Sequence, residues 1–436
     1  MCGPCGYFIV DTTVRRVGLI CSVIAVVLFF LGVLIGYFSA PSNVDKPIAV
    51  TLASDTSSAQ KLCDTYGSSG TTFDMYYERY MERHSRKHQC VKSREQCWDF
   101  DLPRHYIAYH LNGKKINIDG KLNDQAWNEV PWSETFVDIR SAVYPKPYLE
   151  TKFKMRWDDN LLYLGAYIEE ENLWGTYVTH DSSIFRDNGF EMLVNVDGKM
   201  VNYKQIQINV LGTMMDQIIY KSVWDSPNVK ENSKIWNVNA VHAIYHEGTV
   251  NQPNDKDRFW SVEIALPFTQ LAYNSSRVKS IPDENEVWFT NFGRSEQKLI
   301  NKNGKYQKVP KSVADWWSWQ PCDVINLHLQ DRWGLVQFKK DIKDTTFRYT
   351  HWHLDKALFE VTKAMDQYIA INGKYTTVIE ELDIPPYLLY GACVKVPEIK
   401  LLTNKVKQSD GSYIKSTRYS IEVTSLLIEA KATNGI

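Results

Sequence analysis

The hydrophobic pattern changes character three times along the chain. From Val17 to Phe38 it is unbroken and carries no Asp, Glu, Lys or Arg, a stretch long enough for a helix to cross a bilayer core of about 30 Å. Arg15 and Arg16 precede it and only Lys46 follows closely, which predicts a signal-anchor: residues 1–16 form a cytoplasmic tail, 17–38 span the membrane once, and the remainder is extracellular or lumenal. Residues 39–102 read as a polar stalk followed by a helical segment over 73–94. From 103 to 340 the period becomes two. Phe153, Met155 and Trp157 alternate with Lys152, Lys154 and Arg156, and Phe190, Met192 and Val194 with Glu191, Leu193 and Asn195. The same spacing sets Ile206 and Ile208 against Gln205, Gln207 and Asn209, and Trp260, Val262, Ile264 and Leu266 against Ser261, Glu263 and Ala265. Gly, Pro, Asn and Asp turns join these runs without long helices between them, so the expected fold is mainly β, an antiparallel β-sandwich of jelly-roll type. Beyond 341 a helix over 352–371, stopped by Asn372-Gly373, and short strand-like runs predict a small α+β domain.

The polar positions of these strands are unusual in kind. Glu191, Asn195, Gln205, Gln207, Asn209 and Glu263 lie two apart on their strands and so project from one face. Carboxylates and amides arranged this way give and accept hydrogen bonds together, which suits the hydroxyls of a sugar; an ordinary solvated face is the alternative. The chain carries 50 Lys+Arg against 51 Asp+Glu, so it lacks the positive surplus that nucleic acid requires. Ten of its 14 Trp fall into two groups. Trp157, Trp260, Trp288 and Trp333 begin or end apolar strands, whereas Trp174, Trp224, Trp236 and the Trp316-Trp317-Ser318-Trp319 patch sit in loop-like or strand-edge positions, where a flat ring can pack on the C–H face of a sugar.

Catalytic signatures are missing. Adjacent acids such as Asp158 and Asp159 point to opposite sides of a strand and do not flank a bond, and there is no nucleophile elbow, phosphate loop or zinc-protease motif, so a binding protein rather than an enzyme is expected. Asp158 and Asp159 are instead candidate ligands for a structural calcium ion. Five cysteines lie beyond the membrane segment in an oxidising compartment, and closeness in sequence favours a Cys90–Cys97 disulfide. Asn274-Ser275-Ser276 is a glycosylation sequon.

Residues from INIDGKLNDQAWNEVPW, beginning at Ile116, through the FRDNGFE and QINVLGT segments to NFGR and WSWQPCD, and on to Phe338, resemble the carbohydrate-binding module family 9-like domain within the wider DOMON-like class. The resemblance implies a sugar-binding β-sandwich, sometimes with structural calcium. Carried onto this chain it makes Trp174, Arg186, Glu191, Asn209, Trp236, Arg294 and Trp319 candidates for the ligand cleft. Other DOMON-like sandwiches bind haem or small molecules, for which Met214, Met215 and His242 are the available ligands. A link to glycoside hydrolysis would draw on Glu191 or Glu263. Residues 349–386 resemble a helix, GKY and EEL unit that follows this module in some bacterial proteins.

Overall fold

The computed structural model describes Cys97, residues 101–220, 236–385, Leu388, 393–407 and 413–435, all of which belong to one compact unit. The expected membrane span, stalk and helical segment, and Cys90, lie outside these residues. No helix among the described residues is long and apolar enough to cross a membrane.

The alternating runs form the strands they predict. β1 (His105–His110), β2 (Val137–Asp138), β3 (Thr151–Trp157) and β4 (Leu161–Glu169) lead to β5 (Gly189–Asn195), β6 (Tyr203–Asn209) and β7 (Met214–Ile219). After these come β8 (Val241–Glu247), β9 (Phe259–Pro267) and β10 (Val287–Glu296), a hairpin of β11 (Leu299–Lys302) and β12 (Lys305–Lys308), then β13 (Asp315–Ser318) and β14 (Gly334–Lys339). Among the described residues between these strands lie two short helices, α1 (Gln125–Asn128) and α2 (Phe268–Leu271), and two single 3-10 turns, Ile184–Arg186 and Gln330–Arg332.

Twelve strands form one sheet in the order β7-β6-β5-β10-β14-β1-β3-β4-β9-β8, with β13 and β2 branching from β10. Two separate antiparallel sheets were expected. Instead a continuous sheet curls on itself, and β1 runs parallel to both of its neighbours, β14 and β3. The curl still gives sandwich-like packing, because Phe153, Trp157 and Trp260 from one half share a core with Phe190, Ile206 and Trp288 from the other. Burying a large apolar side chain contributes roughly 1.5–3 kcal/mol, and edge-on ring pairs such as Trp288 with Phe338, 4.7 Å apart, fix how these side chains interlock.

The helix α3 (Trp352–Asn372) ends where Gly373 takes φ 67° and donates its N–H to the Ile369 carbonyl at 2.8 Å. Leu354, Leu358, Val361 and Met365 share a second core with Ile399, Tyr419, Ile421 and Val423. These come from the three-stranded sheet of β15 (Glu398–Lys407), β16 (Tyr413–Thr424) and β17 (Lys431–Gly435). Trp352 and Phe359 pack instead with Leu193, Phe289, Trp333 and Leu335, on the face of the large sheet turned away from its main core. Together with Ile139, Trp316, Cys322 and residues 325–328 from the loops, that second cover is why β5, β6, β7 and β14 are buried along their whole length rather than at alternate residues. The polar face read from the sequence is therefore not a solvated one.

Cys97 is bonded to Cys393, 296 residues away, with Cα atoms 5.5 Å apart. This overturns the Cys90–Cys97 pairing. Both half-cystines sit in the core beneath α3, and packing there, not closeness in sequence, brings the sulfurs together.

Candidate functional site

Strand register builds a polar patch on the outer face of β5–β7. Glu191 on β5 lies between Gly293 of β10 and Gln207 of β6, and Gln207 lies beside Met215 of β7. In the next row on the same face, Gln205 sits opposite Gln217. Gln205 and Gln207 donate their amide N–H groups to Glu191 Oε2 at 2.7 and 2.8 Å, and Gln217 donates to Gln205 Oε1 at 2.5 Å. The approach of Glu191 depends on Gly293, where a Cβ would stand 2.9 Å from Glu191 Oε1 and 2.8 Å from Leu327 Cδ2. Burial pushes the Glu191 carboxyl above the usual carboxylate range, while the two glutamine amides favour its ionised form and oppose that shift. Gln207 Oε1 is buried and finds no hydrogen-bond partner among the described residues.

This patch floors a cleft of 460 Å³, within the usual small-molecule range of roughly 300–1,000 Å³. Its walls are Ser182, Ser183 and Phe185 from the loop before β5, together with Ile139, Trp316 and Ile325 to His328. Phe185 is exposed and Trp316 half-buried, so both rings are accessible to a ligand. His328 bonds the Tyr203 hydroxyl at 2.9 Å, and burial lowers its pKa to about 4, so it is neutral at physiological pH. Chemically the cleft offers a carboxylate, amide donors, an unsatisfied amide acceptor and two aromatic faces.

Of the seven residues taken from the family resemblance, only Glu191 lines this cleft. Trp319 is completely buried against Phe153 and Phe292, at ring distances of 5.2 and 5.9 Å, and cannot reach a ligand. Trp174 and Trp236 are buried too, Trp236 within the main core. Arg294 is locked in a buried ion cluster, 3.1 Å from Glu170 and 2.8 Å from Glu296, with its guanidinium 5.0 Å from the Trp317 ring. Asn188 bridges the two carboxylates, and burial together with the charge of Glu170 pushes Glu296 well above the usual range. Asn209 spends its amide on Asp187 and the Tyr177 carbonyl, and its Oδ1 accepts the N–H groups of Leu211 and Thr213. These two residues therefore hold loops in place. Arg186 is exposed beside Phe185 and does not line the cleft. Trp316, Gln205 and Gln207 were visible as a strand-edge ring and as alternating amides, whereas nothing in the pattern marked Ser182, Ser183 or the stretch from Ile325 to His328.

Residues 118–274 match the family model described as carbohydrate family 9 binding domain-like. The matched region contains Glu191, Gln205, Gln207 and Phe185 of the cleft, while Trp316 and residues 325–328 lie beyond it. No curated protein matches the chain. Similar solved structures include a family 9 module from Caldicellulosiruptor kristjanssonii in complex with cellotriose, 14% identical over 57% of this chain and 100% of that one, with a TM-score of 0.35. A family 9 module from the same organism in complex with glucose is 15% identical over 56% and 99%, with a TM-score of 0.34.

The remaining sequence candidates take other roles. Asp158 Oδ1 accepts the N–H groups of Asn160 and Leu161, and its Oδ2 accepts the Tyr163 hydroxyl, so it braces the β3–β4 turn. Asp159 is 81% exposed and faces His110, so the two acids do not converge on a calcium ion. Glu263 accepts hydrogen bonds from Trp127 Nε1, Asp119 N and Gly120 N at 2.7–2.9 Å and is committed to pinning that turn rather than to acid–base chemistry. Met214 lies in the core, Met215 in the cleft, and His242 bonds the Gly212 carbonyl, an arrangement that offers no common axis for haem.

Proposed function

We propose that the chain is a membrane-anchored, non-catalytic protein that binds a mono- or disaccharide in the cleft over β5–β7. The observation that carries this reading is the buried row of Glu191, Gln205 and Gln207, in which Gln207 Oε1 lacks a donor among the described residues. An unmet buried acceptor costs about 1–3 kcal/mol, and a sugar hydroxyl would satisfy it while a neighbouring hydroxyl donates to Glu191. Trp316 and Phe185 supply the apolar faces against which a pyranose ring stacks. The family match over residues 118–274 supports the same ligand class. Affinity of this kind falls between roughly micromolar and millimolar.

The segment from Val17 to Phe38 anchors the chain, with a cytoplasmic N-terminus and the cleft displayed on the extracellular or lumenal side. Asn274 is exposed there and carries a glycan. Calorimetric titration of the purified full-length chain with hexoses, pentoses and their disaccharides tests the ligand. Saturable binding that is lost in Gln207→Leu, in a protein that still melts cooperatively, is expected. Failure of every sugar to bind the folded chain would overturn the proposal.

A further inference from the structure

A second cluster lies one residue upstream of the cleft wall. His180 and Asp181 belong to the loop that continues into Ser182 and Ser183, Asp216 belongs to β7, and Asn237 to the segment leading into β8. Three side-chain oxygens crowd a single imidazole nitrogen: His180 Nε2 lies 2.9 Å from Asn237 Oδ1, 3.0 Å from Asp216 Oδ1 and 3.6 Å from Asp181 Oδ1. One N–H points at only one of them. Asp216 is 1% exposed, and its Oδ1, aimed into the cluster, accepts no well-formed hydrogen bond from the described residues, while its other oxygen accepts the Val238 N–H.

We infer that His180, Asp181 and Asp216, with the Asn237 amide oxygen as a fourth donor, form a site for a divalent transition ion of the Zn²⁺ class. A tetrahedral ion with bonds of about 2.0–2.1 Å sets its ligand atoms about 3.3 Å apart, and the His180 contacts bracket that spacing. Asp181 Oδ1 already accepts the Asp216 N–H at 3.4 Å, so the group in need is Asp216 Oδ1, and an ion taking its lone pair together with that of Nε2 satisfies this buried oxygen. The imidazole and the small oxygen count argue against calcium, which takes about 6–8 oxygen ligands. Among the described residues this is the group of His, Cys, Asp and Glu whose ligand atoms all come within 4.8 Å of one another. His180 is half exposed, so an ion has a route from solvent. Bound there, it ties the loop bearing Ser182 and Ser183 to β7.

The test is a competition titration of the full-length chain with Zn²⁺ against a chromophoric chelator, repeated with Mn²⁺ and Ca²⁺, and followed by the absorption spectrum of the Co²⁺ form. One equivalent of Zn²⁺ is expected to bind, with affinity lowered at least about tenfold in both Asp216→Asn and His180→Ala and unchanged in His246→Ala. Because Asp216 also holds Val238, His180→Ala, a change at a half-exposed side chain, keeps the test decisive if Asp216→Asn fails to fold. Absence of stoichiometric Zn²⁺ binding, undiminished binding in His180→Ala, or a preference for Ca²⁺ would overturn the assignment.

Discussion

Trp316 and Trp319 are three residues apart, yet the structure assigns them opposite roles, and paired substitutions separate the two. Trp319 is wholly buried, packs edge-on against Phe153 and Phe292, donates its indole N–H to Glu134 at 3.1 Å, and lies so close to Gly334 that a Cβ there would come within 2.3 Å of its ring. Replacing it by Ala removes the largest side chain from a packed site whose neighbours are themselves rigid rings, so the cavity closes poorly and the cost is about 4 kcal/mol. At about 2–4 °C per kcal/mol for a domain of this size, its melting temperature falls by about 8–16 °C. Trp316 is half-buried on the cleft wall, and its backbone carbonyl, which accepts the Ile139 N–H at 3.0 Å, survives substitution. Trp316→Ala therefore costs about 1 kcal/mol of stability or less. It weakens sugar binding at least about tenfold, the equivalent of roughly 1.4 kcal/mol, through loss of the stacking face. Differential scanning calorimetry and sugar titration on the same preparations measure both numbers. The reasoning fails if Trp319→Ala melts like the wild type, or if Trp316→Ala loses stability while keeping its full affinity.

The disulfide, the α3 junction and the cleft floor each supply a further test. Peptide mapping without reduction should recover Cys97 linked to Cys393, and Cys393→Ser should lower stability by about 2–5 kcal/mol because the bond closes a loop of several hundred residues. Asp355 in the first turn of α3 has its pKa pushed up to about 7 by desolvation, partly opposed by a hydrogen bond from the Tyr349 hydroxyl. The folded state thus binds a proton that the unfolded chain, near pKa 3.8, has already released. This contribution is complete below the unfolded value and lost as pH rises to about 7, so urea midpoints should fall across that window by more in the wild type than in Asp355→Asn. Gly293→Ala, which touches no ligand, should displace Glu191 and weaken sugar binding several-fold; unchanged affinity in that variant would mean that Glu191 does not contact the sugar.

How much of this was legible from the sequence depends on the range of the interaction in question. The period-two runs placed β3, β5, β6 and β9 to within a residue or two, and the apolar spacing with Asn372-Gly373 placed α3, because these signals are local and every turn of the pattern repeats them. What covers a face is not local. Glu191, Gln205 and Gln207 read equally well as a solvated face or as a binding face, and only the arrival of Trp316 and residues 325–328, over a hundred positions later, makes them the floor of a cleft. The same ambiguity misplaced the aromatic residues. A Trp at a strand edge looks exposed in sequence, but the curl of the sheet carries Trp319 into the core and leaves Trp316 outside it. Arg294 shows the effect in its sharpest form. Glu170 and Glu296 hold its guanidinium, so a charged residue that looked available to a ligand is consumed in tying β10 to the segment that follows β4. Polar residues on a buried face must be satisfied by the protein or by something else, and Gln207, alone in this row with a side-chain atom left over, is where that choice falls to a ligand.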